Sequence, residues 1–227
     1  YVAGHSLGEY SALAAAGSLS IGDAARLLRI RGDAMQQAVP EGRGAMAALL
    51  GLDLEPAREV AAEAAGADEV CQVANDNAPG QVVVSGHKAA VERATEIAKG
   101  RGAKRAMLLA VSAPFHCALM QPAAEVMANA LAEARMHAPA VPLIPNVLAA
   151  PLSDPTEIRK RLVEQVTGTV RWRESVAWLG ANGVDRLIEI GAGKVLTGLA
   201  KRIVPDAAAQ SVGTPDDVRA VAADLRN

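Results

Sequence analysis

Tyr1-Val2-Ala3-Gly4-His5-Ser6-Leu7-Gly8 opens the chain with the apolar end of a buried strand, a G-x-S-x-G turn and the first residues of a helix. From Leu7 to Ala16 the residues are good helix formers, and Gly17 stops the run. A strand, a sharp turn and a helix in direct succession point to an α/β protein. The two glycines allow a turn tight enough to lift the Ser6 hydroxyl clear of the sheet. The helix N-terminus beyond it supplies backbone N–H groups able to stabilise an oxyanion. The same five letters also describe an ordinary glycine-rich βα turn, so Ser6 needs partners from elsewhere in the chain before it reads as a nucleophile.

Outward from this turn the elements alternate. Ser20 and Asp23 make a capping-box-like start to a second helix, in which Ile21, Ala24, Leu28, Arg31 and Met35 recur on one face. Arg31 thereby sits in an apolar stripe, where a guanidinium needs an anionic partner. Glu41-Gly42-Arg43-Gly44 reads as a linker. Beyond it come a strand (45–52), a helix (56–65), two short strands (70–74 and 82–85) around a turn-rich Asn75-Asp76-Asn77-Ala78-Pro79-Gly80, a helix (88–99) and a strand (103–111). That βαββαβ order is the split, ferredoxin-like unit, here predicted as an insertion over 43–112. Alternation then resumes with helices over 120–135, 155–166, 173–182, 194–203 and 216–225, and strands over 143–147, 186–190 and 208–212. Residues 1–42 and 113–227 are thus predicted to form one large α/β domain with a mostly parallel sheet covered on both faces.

The 227 residues suffice for a substantial core, 51% of them apolar, yet only two Trp, two Tyr and one Phe are present. A formal net charge of −2 gives no reason to expect a nucleic acid partner. Cys71 and Cys117 are too few for a disulfide framework and lack C-x-x-C spacing, which fits free thiols in a reducing cytoplasm. No apolar run is long enough to span a membrane, and no signal peptide is visible. No His, Cys or carboxylate set has metal-ligand spacing, and neither a metal nor a redox cofactor is expected. Gly191-Ala192-Gly193-Lys194 fails both the phosphate-loop and the dinucleotide patterns, since Val195 and Leu196 stand where Ser or Thr and a third glycine belong.

A serine hydroxyl needs a base. Four histidines compete. His5 lies at the variable position of the turn, with its side chain expected to point away from Ser6. His87 has the look of a capping or surface residue, and His137 that of a solvated one. His116, in Ser112-Ala113-Pro114-Phe115-His116-Cys117, lies on a loop ahead of a long helix, the kind of rigidly held loop that carries bases.

Gly4-His5-Ser6-Leu7-Gly8-Glu9-Tyr10-Ser11-Ala12-Leu13 resembles the nucleophile region of malonyl-CoA:acyl carrier protein transacylases. Arg31-Gly32-Asp33-Ala34-Met35-Gln36, Asn77-Ala78-Pro79-Gly80-Gln81, Pro114-Phe115-His116-Cys117-Ala118-Leu119-Met120 and Gly191-Ala192-Gly193-Lys194-Val195-Leu196 resemble further blocks of that family, in family order across the chain. The resemblance implies an α/β-hydrolase-like large domain with an inserted ferredoxin-like domain. It implies that Ser6 attacks the malonyl thioester, that His116 takes its proton, and that the Leu7 N–H is an oxyanion donor. It further implies that Arg31 holds the malonyl carboxylate and that the Gln165 main-chain carbonyl orients His116. The implied partners are malonyl-CoA and holo-acyl carrier protein, with no nucleic acid, no membrane and a monomeric state.

One large departure is expected to matter. The family's N-terminal G-Q-G-x-Q turn, source of a second oxyanion donor, has no counterpart here, and loss of one such donor costs about 10²- to 10³-fold in rate. This chain alone is therefore expected to be weak or inactive, and the intact parent active. Rival readings are an acyltransferase domain of a polyketide or fatty-acid megasynthase, a serine thioesterase with no use for Arg31, and an inactive homologue that only binds carrier protein.

Overall fold

The computed structural model describes residues 1–225, and it is an α/β fold. It divides into two compact units, the first Tyr1–Ser175 and the second starting at Val176. Among the described residues no helix is long and apolar enough to cross a membrane.

In the first unit, helices α1 (Gly8–Ala15) and α2 (Ile21–Gln37) follow the opening turn. The Ser20 Oγ accepts the Asp23 N–H at 3.0 Å and donates to the Asp23 carboxylate at 2.6 Å, which fixes the start of α2. The buried face of α2 is Ala24, Leu27, Arg31 and Met35. Ile21, expected on that face, is 81% exposed. Helix α5 (Gln121–Glu133) packs beside α2 and α6 (Pro155–Thr167) beside α5, and Tyr10, Leu13, Met127, Leu131, Ile158 and Leu162 share the main core. Each such fully buried side chain contributes about 1.5–3 kcal/mol.

Strands β1 (Gly44–Leu50), β2 (Cys71–Ala78), β3 (Gln81–His87) and β4 (Arg105–Leu108) form an antiparallel sheet of order β2-β3-β1-β4. Helices α3 (Leu54–Ala64) and α4 (Lys88–Gly100) cover one face through Ala47, Leu49, Val82 and Val84, the period-2 set expected of a half-covered sheet. On the other face Met46, Ala74 and Val83 pack with Phe115, so the sheet backs the loop that carries His116.

The Asn75-Asp76-Asn77 stretch, expected as a turn, belongs to β2, and only Pro79 and Gly80 separate it from β3. Turn propensity loses here to partners distant in sequence. The buried Asp76 carboxylate takes the Arg173 Nε at 2.9 and 3.0 Å, the Asn75 backbone bridges Val170, and two register shifts absorb the irregularity.

The strand expected over 143–147 is reduced to single bridges of Leu143 to Val2 and to Leu152. Pro142 and Pro145 flank this point, and a residue without an N–H cannot extend a ladder. Parallel pairing is accordingly confined, among the described residues, to the Val2–Leu143 and Asn75–Val170 bridges and to one two-stranded pair in the second unit. There β5 (Arg186–Ile190) and β6 (Ala208–Val212) run parallel, joined through α8 (Val195–Ile203). Helix α7 (Trp172–Ala181) precedes them, and α9 (Pro215–Asp224), started by a Thr214–Asp217 capping box, follows.

Candidate active site

The G-x-S-x-G turn places Ser6 in the left-handed region, φ 51°, where a residue with a Cβ is strained by about 1–3 kcal/mol. Gly4 makes the turn possible: a Cβ there would come within 2.0 Å of the Gly8 carbonyl carbon and oxygen. A Cβ on Gly8 would meet nothing within 4 Å, so the tightness that the sequence assigns to two glycines belongs to the first. The N–H groups of Gly8, Glu9 and Tyr10 turn back onto the carbonyls of His5, Ser6 and Leu7. Leu7 is the N-cap residue of α1, and its N–H heads that turn.

His116 arrives from the loop ahead of α5, also at positive φ (59°), and is 4% exposed. The loop is anchored by the Ala118 N–H on Gln72 Oε1 at 2.8 Å and by the Gln36 amide on Ser112 Oγ at 2.5 Å. Gly44 permits its approach to the sheet, since a Cβ there would lie 2.3 Å from Pro114 Cγ.

The donors and acceptors decide the proton positions. His116 Nδ1 lies 2.8 Å from the Gln165 main-chain oxygen, which only accepts, so Nδ1 carries the proton and Nε2 is bare. Nε2 lies 2.7 Å from Ser6 Oγ, so the hydroxyl donates to it. Arg31 Nη2 then donates to the same Oγ at 2.9 Å and to Gln165 Oε1 at 3.0 Å. Burial, with the Arg31 charge adding to it, lowers the His116 pKa from 6.5 to about 3, which keeps this imidazole neutral. Arg31 is itself 6% exposed, and burial lowers its pKa too, against the opposing fields of Tyr10 and Glu9. A serine hydroxyl donating to a bare imidazole nitrogen, with the far nitrogen pinned to a carbonyl, can undergo general-base activation for attack on an acyl carbon.

Residues 1–219 match the family described as acyl transferase domain. The chain belongs to this family. The acyltransferase is 50% identical over 219 residues to the malonyl CoA-acyl carrier protein transacylase of Escherichia coli K12, covering 96% of this chain and 71% of that protein. The crystal structure of acyl-carrier-protein-S-malonyltransferase from Bartonella henselae is 58% identical with a TM-score of 0.95, over 99% of this chain and 71% of that one. A malonyl-transacylase solved in complex with a type II PKS acyl-carrier protein is 46% identical with a TM-score of 0.94, over 99% and 72% of the two chains.

The structure of the acyltransferase brings Ser6, His116, Arg31 and Gln165 into one hydrogen-bonded group, with Leu7 adjoining Ser6 in the chain. The other three histidines lie apart from the Ser6 hydroxyl. His87 Nδ1 accepts the Val70 N–H at 2.8 Å, linking strand ends, and the exposed His137 holds Ser18 through its backbone. His5 is half-buried, with Nε2 2.8 Å from Asn77 Oδ1 and its ring tilted against Trp172 at 5.6 Å; desolvation lowers its pKa, opposed by the Asn77 bond.

Sequence reasoning missed three polar residues beneath the site. The fully buried Asn146 accepts the Ser6 N–H on Oδ1 at 2.7 Å and donates from Nδ2 to the Gly4 oxygen at 2.7 Å. Glu9, also fully buried, receives the Asn146 N–H and the Gln165 Nε2, both at 2.9 Å on Oε2. Burial outweighs these bonds and raises the Glu9 pKa from 4.5 to about 7. Tyr10, fully buried beside them, has its phenol pushed upward by burial as well. A glutamate in the first turn of an otherwise apolar helix was the available signal for Glu9. Asn146 follows a proline at the end of an apolar run and carries no local signal. Among the described residues no group of three or more His, Cys, Asp or Glu could hold a metal ion.

Proposed function

We propose that this acyltransferase moves a malonyl group from coenzyme A to the phosphopantetheine thiol of acyl carrier protein through a malonyl-Ser6 ester, supplying fatty acid synthesis. The observation that carries this reading is the Arg31 guanidinium on the hydroxyl that faces His116. A cation buried at the nucleophile suits an acyl group that ends in a carboxylate, which a plain acyl chain lacks. The names borne by the E. coli and Bartonella relatives, and the carrier protein bound to the third, support the same donor and acceptor.

In the first half-reaction Ser6 Oγ bonds to the thioester carbon as its proton passes to His116 Nε2. The Leu7 N–H donates to the developing oxyanion. The C–S bond then breaks, and the proton on Nε2 goes to the departing sulfur, releasing coenzyme A as a thiol. In the second half-reaction the carrier thiol gives its proton to His116, sulfur attacks the ester, and Ser6 leaves and regains the proton. The Gln165 carbonyl holds Nδ1–H throughout, so Nε2 is the atom that exchanges protons. Arg31 pairs with the free carboxylate of the malonyl group.

The same reading takes residues 43–112 as an inserted ferredoxin-like domain, supported by the strand order β2-β3-β1-β4 with two helices on one face. It takes 1–42 and 113–227 as an α/β-hydrolase-like domain, supported by the serine on a strand-to-helix turn. A monomer in the cytoplasm is part of the reading; two buried free cysteines suit a reducing compartment.

Intact mass after brief exposure to malonyl-CoA, on wild type and on Ser6→Ala, tests the reading. In the intact parent a malonyl adduct on wild type alone, discharged by holo-carrier protein to malonyl-carrier, is expected. Discharge to free malonate with the carrier untouched would overturn transfer in favour of hydrolysis.

A further inference from the structure

We propose that Asn146 is a positioning residue that clamps the strained nucleophile turn and, through Glu9, ties it to the group that orients the base. The inference rests on the reading of Ser6 as nucleophile, and it concerns how that serine is kept in place. At φ 51° the Ser6 backbone is held against its own preference, so some other group must hold it. The Asn146 side chain does so from both sides of the turn: Oδ1 takes the Ser6 N–H and Nδ2 gives to the Gly4 oxygen, each at 2.7 Å. A planar amide is suited to this, since it offers one acceptor and one donor side by side to two backbone groups of opposite sense.

The clamp is itself fixed. The Asn146 N–H binds Glu9 Oε2, and the same oxygen takes Gln165 Nε2, which also reaches the Ser6 carbonyl at 3.1 Å. Gln165 carries the carbonyl that holds His116 Nδ1 and the amide oxygen that receives Arg31. One buried network therefore sets the nucleophile, the orientation of the base and the guanidinium together. Asn146, Glu9 and Gln165 are all fully buried, so water does not compete for these bonds. Asn146 touches the reacting groups only through the backbone. Its loss should therefore slow acylation while leaving recognition of the malonyl carboxylate by Arg31 in place.

The test follows malonyl-Ser6 formation by rapid quench and intact mass in wild type, Ser6→Ala, Asn146→Ala and Asn146→Asp. Asn146→Ala is expected to lower the maximal acylation rate about 100-fold, the cost of a nucleophile displaced by about an ångström, with half-saturation by malonyl-CoA changed less than about threefold. Asn146→Asp keeps an acceptor for the Ser6 N–H but turns an oxygen toward the Gly4 carbonyl. Its new carboxyl lies beside Glu9, with Arg31 and His116 the other titratable groups of the network, and only its protonated form can donate to Gly4. Its rate relative to wild type is therefore expected to rise as pH falls from 8 to 5, a recovery that a merely structural defect would not show. Variant rates within about threefold of wild type, a loss confined to half-saturation, or a loss that follows the folded fraction by circular dichroism would each overturn the clamp. Wild type that takes no adduct, even with the N-terminal segment of a close relative restored, would bring down the functional reading and the clamp with it. An adduct on wild type but not on Ser6→Ala, with the Asn146 variants unimpaired, would bring down the clamp alone.

Discussion

Arg31 and Ser6 share a hydrogen bond: Nη2 donates to Oγ at 2.9 Å, so a buried guanidinium lies against the hydroxyl proposed as the nucleophile. A charge-assisted bond to a substrate carboxylate is worth about 1.5–3 kcal/mol, which converts to roughly 10- to 100-fold. Arg31→Ala is expected to slow acylation by malonyl-CoA by that factor and acylation by acetyl-CoA much less. Side-by-side rates with the two thioesters check this, and equal losses would contradict the carboxylate role.

If His116 is the proposed base, its titration sets the acid side of the rate profile. A base must be neutral, and its pKa is lowered by burial from 6.5 to about 3. Acylation is expected to show no loss attributable to imidazole protonation between pH 8 and 5. A kcat/KM profile with an acidic limb near 6.5 would show that His116 titrates as if exposed, contrary to its burial.

Glu9 gives a pH dependence of stability with the opposite sense to that of His116. Its folded pKa is raised to about 7 from 4.5, so the stability tied to its neutral form is fully present below 4.5 and lost as pH rises through about 7. The lowered pKa of His116 makes a contribution that is present above 6.5 and lost as pH falls toward about 3. Glu9→Gln cannot ionise and should shed the first of these. Urea unfolding of both proteins at pH 5 and pH 8 is expected to show the variant gaining on wild type at the higher pH. A constant difference would mean that Glu9 does not titrate in this window.

The two glycines of the turn should separate cleanly. Gly4→Ala forces a methyl group into the Gly8 backbone and is expected to cost about 3 kcal/mol or more. Gly8→Ala meets open space at a helix start and is expected to stay within about 1 kcal/mol of wild type. Thermal unfolding of the two variants checks both.

What could be read from the sequence was what is local. The turn around Ser6 announces itself because strand, glycine, serine and helix are contiguous. The β1-to-β4 order likewise follows from alternating periodicities. Asn75, Asp76 and Asn77 read as a turn because that preference is local, whereas the partners that hold them in a strand, Val170, Arg173 and His5, lie 72 to 97 residues away. Asn146 was invisible for the same reason: its bonds to Gly4 and Ser6 span 142 and 140 residues. The strand expected at 143–147 shrinks to single bridges because periodicity takes no account of the N–H groups that Pro142 and Pro145 lack.

Ser6 and His116 both sit at backbone angles that glycine adopts freely and other residues resist. Selection for a more relaxed main chain would therefore press toward glycine at the two positions whose side chains are proposed to carry the reaction. A library ranked by melting temperature alone is biased against the chemistry at these sites, and any thermal improvement of this protein has to be sought away from them.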